Sequence, residues 1–419
     1  MDALQQYKLV LLTAYLLVQG FSYWLELLNL RHMKTHGHEI PQGFEEYTDA
    51  TSMKRTMAYT AEKTALDLAE SAWDSILLLI ILYGGLLDRY SAWILSLQLP
   101  FVASGVIFFL LIQYMGMAAS VPFSLYGTFR LENRYGFNTM TPRLWGTDLL
   151  KSAVLATVLT GILTAAGLWL VQLSPELWWL YVWGLFLAFS IFLMYVSPYV
   201  IEPLFNTFTP LEGGPLTLRI TELMNKAGLR VSSVQKIDAS KRSRHTNAYF
   251  TGIGKVKRIV MFDTLLEKMT DDEILAILAH EVGHWKKRHI LKRIVTLEAV
   301  ALAGMYLSYL ALRGDLLSRM FVPSAGTFYA KIIALGFIAG IITFPFTALS
   351  SYISRRHEEE ADRFAAGLTG DPESLATSLI KLSKDNLSNL HPHPLYADFY
   401  YSHPPVVDRI AKIRSGPAD

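Results

Sequence analysis

The stretch Thr270-Asp-Asp-Glu-Ile-Leu-Ala-Ile-Leu-Ala-His-Glu-Val-Gly-His-Trp-Lys-Lys-Arg-His289 decides how the rest of the chain is interpreted. Thr270 followed three residues later by Glu273 has the form of a capping box, which predicts that a helix begins here. On that helix His280 and His284 lie one turn apart on the same face. Two imidazoles at this spacing can bind one tetrahedral Zn²⁺, and Glu281 beside them can deprotonate a bound water. The stretch therefore predicts a zinc-dependent hydrolytic site.

Composition predicts a polytopic membrane protein. Of the 419 residues, 52% are hydrophobic and only 18% are charged, and the mean hydropathy is +0.29. A chain this apolar is atypical of soluble enzymes. The N-terminal apolar run has no positive cluster or small-residue cleavage site, so it is interpreted as a retained span.

Charge argues against a nucleic-acid interface, and cysteine content excludes cysteine-based sites. The net charge is +2 and no basic tract is interleaved with aromatic residues, so nucleic acid is not an expected partner. The chain has no cysteine, which excludes disulfides and thiolate ligands. Any zinc is therefore expected to be held by histidine and carboxylate.

Seven apolar runs have about the length that crosses a bilayer, roughly twenty residues in a helix. They are residues 9–30, 73–87, 93–119, 149–173, 177–200, 294–312 and 329–353. The second run is the shortest and contains Asp74, and several contain prolines, which membrane helices tolerate. Lys and Arg concentrate in the long connecting segments, so the positive-inside rule places these in the cytoplasm and the N-terminus outside.

This arrangement divides the chain into four parts. Spans 1–5 with their cytoplasmic loops occupy residues 1–200, a cytoplasmic catalytic segment occupies 201–293, the last two spans occupy 294–353, and a C-terminal segment occupies 354–419. Within the catalytic segment, residues 217–227 have helical periodicity and 231–237 alternate as a strand. Residues 247–250 and 257–262 are interpreted as a hairpin across Gly252-Ile253-Gly254. Its edge could receive an extended peptide, or the hairpin could only cover the zinc helix.

Acidic and histidine residues in the C-terminal segment complete the candidate site. Glu358 and Asp362 lie one helical turn apart, as a zinc carboxylate and an acid behind a histidine ligand would. Glu359 and Glu360 also fit the spacing alone but are interpreted as solvated. His391-Pro-His-Pro394 and His403-Pro-Pro405 hold histidines in extended backbone that can aim a ring at a site. Either could be a plain turn, an interpretation that we favour for 391–394.

With these residues in hand, most of the chain resembles the type I CAAX prenyl proteases, integral-membrane zinc proteases with seven spans. H-E-x-x-H alone is shared by many peptidases, whereas five motifs in the family's order are specific. They are Ile201-Glu-Pro-Leu-Phe-Asn-Thr-Phe-Thr-Pro-Leu211, Thr246-Asn-Ala-Tyr-Phe-Thr-Gly252, His280-Glu-Val-Gly-His284, Arg355-Arg-His-Glu358 with Ala361-Asp362, and Ser402-His-Pro-Pro405.

The resemblance implies a fold and a set of roles. The fold would be predominantly α, a polytopic membrane protein in which seven transmembrane helices enclose a chamber, plus a small cytoplasmic α+β zinc-protease domain. One Zn²⁺ per chain would be held by His280, His284 and Glu358. Glu281 would be the general base, and Asp362 would be the acid behind the ligands. Asn247 and His403 would bind the substrate backbone or the oxyanion. Intramembrane Asp74 and Glu298 would fit a wet interior.

Departures from the family pattern bear on the source membrane and the substrate. His357 and Glu359 stand where eukaryotic members usually have aromatic residues, and the chain is shorter, with no obvious C-terminal retrieval signal. These features favour a bacterial member in the inner membrane over one in the endoplasmic reticulum. The expected partners are membrane lipid and a peptide or protein substrate, and whether that substrate carries a prenyl group stays open.

Three other functions remain open on the sequence. The chain could be a general quality-control metalloprotease of membrane proteins, or a chamber-forming transporter or lipid-handling protein with structural zinc. A closed structural site needs a fourth protein ligand, whereas a catalytic site keeps a position for water. The third function, a non-catalytic scaffold, would leave Glu281 between two histidine ligands unexplained.

Overall fold

Long helices in the N-terminal half are followed by a small sheet and then by the helices that carry the candidate site. The computed structural model describes residues 3–251 and 256–416. The elements in chain order are α1 (Ala3–His36), α2 (Ala50–Tyr83), α3 (Leu86–Ser96), α4 (Phe101–Tyr126), α5 (Pro142–Leu173), α6 (Trp178–Val196), α7 (Glu202–Phe205), β1 (Phe208–Pro210), α8 (Pro215–Lys226), β2 (Arg230–Ile237), β3 (Ala248–Thr251), β4 (Val256–Phe262), α9 (Asp263–Lys268), α10 (Asp271–Lys286), α11 (His289–Arg313), α12 (Leu316–Phe321), α13 (Phe328–Thr343), α14 (Phe346–Thr369), α15 (Pro372–Asp385), α16 (Pro394–Tyr400) and α17 (Val406–Ser415). Short π-helical turns continue α4 over Gly127–Glu132 and α6 over Ser197–Ile201.

Five helical segments of the described chain are long and apolar enough to cross a membrane. They are Ala3–His36, Phe101–Glu132, Pro142–Leu173, Trp178–Phe205 and His289–Arg313. In each, at most 17% of the apolar window is buried inside the molecule, so most of this surface is available to lipid. The pair α13 and α14 makes a sixth candidate if it is counted as one span with a bend of 59°.

The described residues thus give five or six spans where the sequence predicted seven. The predicted run 73–87 lies at the end of α2, whose 34 residues are long enough to cross a bilayer. Charged Asp67, Glu70 and Asp74 occupy the middle of that helix, so its apolar portion is too short to qualify. The predicted run 329–353 is likewise interrupted, because Pro345 cannot continue the backbone hydrogen bonds of α13.

The four strands form one mixed sheet in the order β1-β2-β4-β3. The predicted hairpin strands are confirmed, since β3 and β4 pair antiparallel with Ala248 opposite Met261 and Thr251 opposite Arg258. Its predicted turn, residues 252–254, lies outside the described residues. β2 runs parallel to β4, and the unpredicted strand β1 pairs antiparallel with β2. β3 is therefore an edge strand, and it lies beside α10.

The predicted zinc helix is fixed by its cap and by apolar packing on two sides. Thr270 and Glu273 form the capping box, with Glu273 N donating to Thr270 Oγ1 at 3.3 Å and Thr270 N donating to Glu273 Oε2 at 2.8 Å. Apolar residues of α10 pack on one side against α8 and the sheet, and on the other against α15 and α17. Phe364 and Ala365 of α14 belong to the same two clusters, so this packing also fixes α10 against α14.

Candidate metal centre

Three side chains from two helices converge at the crossing of α10 and α14. His280 Nε2 lies 3.1 Å from His284 Nε2, and Glu358 places one carboxylate oxygen 3.4 Å from His280 Nε2 and the other 3.2 Å from His284 Nε2. Nitrogen and oxygen ligands at 2.0–2.1 Å from a tetrahedral ion are about 3.3 Å apart. The three observed separations therefore suit a single metal ion.

The burial of Glu358 also fits a cation at this point. Its side chain is buried, and Oε2 accepts no hydrogen bond within the described ranges, with Arg409 Nη1 3.5 Å away. A buried carboxylate oxygen that accepts no hydrogen bond favours positive charge nearby, which a metal ion would add to that of Arg409. With two imidazoles and one carboxylate as donors, the set matches the ligands of catalytic zinc sites.

A buried ion pair stands behind His280. Asp362 Oδ1 lies 2.8 Å from His280 Nδ1, and Arg409 donates to both oxygens of Asp362, at 2.9 and 2.6 Å. Burial acts to lower the pKa of His280, but its contacts with Asp362 and Glu358 outweigh burial and raise that pKa to about 9. Asp362 stands where the sequence predicted an acid behind the ligands.

Glu281 is left available for chemistry. It follows His280 on α10 and has neither a hydrogen bond nor an ion pair with any described residue. Burial raises the pKa of its carboxyl group above the usual range, although His280 and His284 oppose this shift. A carboxylate with a raised pKa beside a metal-activated water is suited to accept a proton.

The two predicted substrate-binding residues differ in how close they come to the ligands. His403 Nε2 lies 3.4 Å from Glu358 Oε1, and 61% of its side chain is exposed, so a substrate can reach it. Asn247 is exposed just before β3, and its side chain accepts a hydrogen bond from Ala248 N at 2.8 Å. Within the described residues, Asn247 makes no hydrogen bond with His280, His284 or Glu358.

Three further residues surround the ligands, and the sequence interpretation assigned none of them to the site. Arg409 received no assignment from the sequence, and its position shortly after His403-Pro-Pro405 was the available signal. His289 lies in the opening stretch, but five residues beyond His284, off the ligand face of a straight helix. Glu360 was interpreted as solvated, and its side chain is 35% exposed, but Oε2 also lies 3.1 Å from His289 Nε2. Glu359 pairs with Lys412 at the surface.

The other histidine-proline run has a local role. His393 is the N-cap residue of α16, and its Nδ1 accepts from Leu395 N at 3.2 Å. His391 Nε2 contacts the backbone oxygen of Glu39 at 2.8 Å. The first contact caps α16, the second joins the segment before α16 to the turn after α1, and neither belongs to the ligand set.

Comparison with known proteins gives matches along nearly the whole chain. A family model described as "CAAX prenyl protease N-terminal, five membrane helices" matches residues 29–207, and "Peptidase family M48" matches residues 210–416. The probable CAAX prenyl protease 1 of Schizosaccharomyces pombe is 31% identical over 95% of this chain and 88% of its own length. CAAX prenyl protease 1 of Saccharomyces cerevisiae is 31% identical over 94% of this chain and 93% of its own.

A bacterial protein and a solved structure are similar as well. The uncharacterized metalloprotease YhfN of Bacillus subtilis is 30% identical over 95% of this chain and 94% of its own length. The crystal structure of S. mikatae Ste24p superposes with a TM-score of 0.90 at 28% identity, covering 97% of this chain and 99% of that one. The similar proteins thus include yeast and bacterial members.

Proposed function

The chain belongs to the M48 peptidase family of CAAX prenyl proteases, and we propose that it cleaves prenylated peptides with one Zn²⁺ held by His280, His284 and Glu358. Family membership makes it a multi-pass membrane metalloprotease. The observation that carries the ligand assignment is the convergence of three donors at 3.1–3.4 Å with Glu281 unpaired beside them. A transporter or scaffold has no use for this free carboxylate.

The residues around the ligands have separate tasks in peptide hydrolysis. Zn²⁺, when bound, supplies a Lewis acid that lowers the pKa of a water to about 7. Glu281 takes a proton from the attacking water and then delivers it to the leaving amine nitrogen. His403 Nε2 donates to the oxygen that becomes negative on the tetrahedral carbon. Asp362, held by Arg409, fixes the ring of His280, and Asn247 binds the backbone of the substrate.

The edge of β3 is the proposed docking line for the substrate. β3 lies beside α10 and has β4 on only one side, so its outer backbone groups can pair with an extended peptide. The relatives named CAAX prenyl protease 1 supply the substrate class, a peptide whose C-terminal CAAX sequence carries a prenylated cysteine. A membrane-embedded chamber would accommodate the prenyl chain.

We further propose the membrane arrangement that the charge distribution favours. α2 would serve as a further span, with Asp67, Glu70 and Asp74 facing a wet interior and not lipid, which gives seven spans when the bent pair counts as one. The N-terminus would lie outside and the metal centre on the cytoplasmic side. A bacterial inner membrane is the proposed location.

A matched pair of peptides tests the substrate proposal. The purified protein would be given a quenched farnesylated CAAX peptide and its unprenylated twin, with and without a zinc chelator. We expect cleavage after the farnesylated cysteine, a much lower kcat/KM for the twin, and loss of both activities with the chelator. Equal kcat/KM for both peptides would overturn prenyl recognition and favour a general protease of membrane proteins. Absence of cleavage of either peptide by zinc-loaded protein would overturn the proposed substrate class.

A further inference from the structure

The second histidine of the ligand set is backed by another histidine. His284 Nδ1 lies 3.1 Å from His289 Nδ1, and His289 Nε2 lies 3.1 Å from Glu360 Oε2. His289 is only 4% exposed, and its ring stacks on His357 with centroids 4.0 Å apart and an angle of 12° between the planes. Burial and stacking hold both nitrogens of His289 toward their partners.

The two contacts allow one arrangement of protons when His284 binds metal. A neutral imidazole that ligates through Nε2 carries its proton on Nδ1, so His284 Nδ1 donates to His289 Nδ1. His289 then carries its own proton on Nε2 and donates it to Glu360. With a proton on Nδ1 of both rings, two donors would face each other at 3.1 Å. The contacts therefore form a directed chain from the ligand to a carboxylate.

The backbone takes an unfavourable conformation where it delivers His289 to this position. In a continuous helix, a residue five positions after His284 would lie about 140° around the axis. Here α10 ends at Lys286, and Arg288 takes a left-handed conformation with φ of 56° before α11 begins at His289. Non-glycine residues adopt that conformation at a cost in free energy. The turn brings the ring of His289 back against His284.

We propose that His289 and Glu360 are positioning residues that hold His284 in the tautomer and orientation needed to bind zinc. The inference rests on the proposed ligand set. The arrangement parallels the one behind His280, where Asp362 contacts the ring directly and accepts a hydrogen bond from Arg409. The difference is that Glu360 acts through a neutral ring and remains 35% exposed at its side chain. Both histidine ligands thus have a carboxylate behind them, one in contact and one relayed.

We call the action of Glu360 on His284 through His289 the relay. It is tested by the zinc affinity of four variants, measured by competition with a chelator of known affinity. The variants are His289→Ala, Glu360→Gln, both together, and Glu359→Gln as the matched control on the same helix. Loss of a partner behind a metal ligand weakens metal binding by about tenfold to a hundredfold. We expect a loss of that size for His289→Ala and for Glu360→Gln, and native affinity for Glu359→Gln. Because Glu360 is partly exposed, its variant keeps the test valid if His289→Ala fails to fold.

The double variant separates a relay from independent packing effects. If Glu360 acts on His284 only through His289, the double variant should bind zinc as weakly as His289→Ala and no more weakly. Additive losses, affinities within about twofold of native for both single variants, or an equal loss for Glu359→Gln would each overturn the relay. Failure of the native protein to bind zinc would instead remove the ligand set on which the relay depends.

Discussion

At the scale of residues, one divalent cation would balance the net charge of the groups around the ligand set. With Glu281 ionised, the carboxylates of Glu281, Glu358 and Asp362 contribute −3 and Arg409 contributes +1, so these four residues sum to −2. Two neutral histidines leave that balance unchanged, and the proposed Zn²⁺ would neutralise it. The contacts of His280 with Asp362 and Glu358 raise its pKa, which fits a position that favours positive charge.

Gly283, inside the H-E-x-x-H motif, sets how closely the two ligand helices approach. A Cβ at this position would lie 2.9 Å from the Cα and 3.0 Å from the backbone oxygen of Ala361. Because those atoms are backbone, Gly283→Ala should push α14 away from α10 and move Glu358 off the two histidines. We expect a loss of about 1–3 kcal/mol in the free energy of unfolding and weaker zinc binding, measured by thermal unfolding and chelator competition.

Gly367→Ala is the control for that substitution. It lies on α14, and nothing is within 4 Å of the position that its Cβ would take. Near-native stability and zinc affinity are therefore expected. If Gly283→Ala behaved like Gly367→Ala, close approach of the helices would not be what holds the ligands together.

Residue spacing along the sequence identified the site residues that share one helix. It missed those that distant segments of the chain bring to the site. His280, Glu281 and His284 follow from helical periodicity on α10 alone. Glu358 was one of three adjacent glutamates until the resemblance favoured it, because spacing does not show which one α14 turns toward α10. Arg409 and His289 depend on the docking of α17 and on a left-handed Arg288, which no local pattern shows.

At the scale of elements, hydropathy located helices well and their ends poorly. Proline explains two of the discrepancies, since α4 begins only after Pro100 and the α13–α14 pair bends at Pro345. In α2 the helix extends far beyond the apolar run, through charged turns that hydropathy does not include. The strand pairing of β3 and β4 followed from alternation, whereas the three-residue β1 is too short to give a pattern.

Thiol labelling tests the proposed orientation of these elements. The chain has no cysteine, so Glu176→Cys between α5 and α6 and Glu212→Cys before α8 would each carry a single reactive thiol. Both positions are exposed. In intact cells we expect a membrane-impermeant reagent to modify Glu176→Cys and to reach Glu212→Cys only after the membrane is opened. The reverse pattern would invert the proposed topology, and equal labelling of both in intact cells would place them on one side.

At the scale of the whole molecule, the metal centre joins regions that membrane helices separate. His284 and Glu358 are 358 − 284 = 74 residues apart, and α11 and α13 lie between them. The catalytic helices are thus joined by a membrane segment, which fits the proposal that hydrolysis takes place at the membrane edge. The sequence motifs identified the segments that form the candidate metal centre. How the helices pack around these segments was evident only from the three-dimensional structure.

The most direct test of the metal centre measures zinc content per chain and turnover of a cleaved peptide. Both are compared among the native protein, Glu281→Gln and Glu358→Gln. We expect about one zinc in the native protein and in Glu281→Gln, with kcat lowered by about 10²–10⁴-fold in that variant because the base is lost. Glu358→Gln should lose the zinc as well as the activity. Full turnover by Glu281→Gln, or native zinc affinity in Glu358→Gln, would contradict the proposed centre.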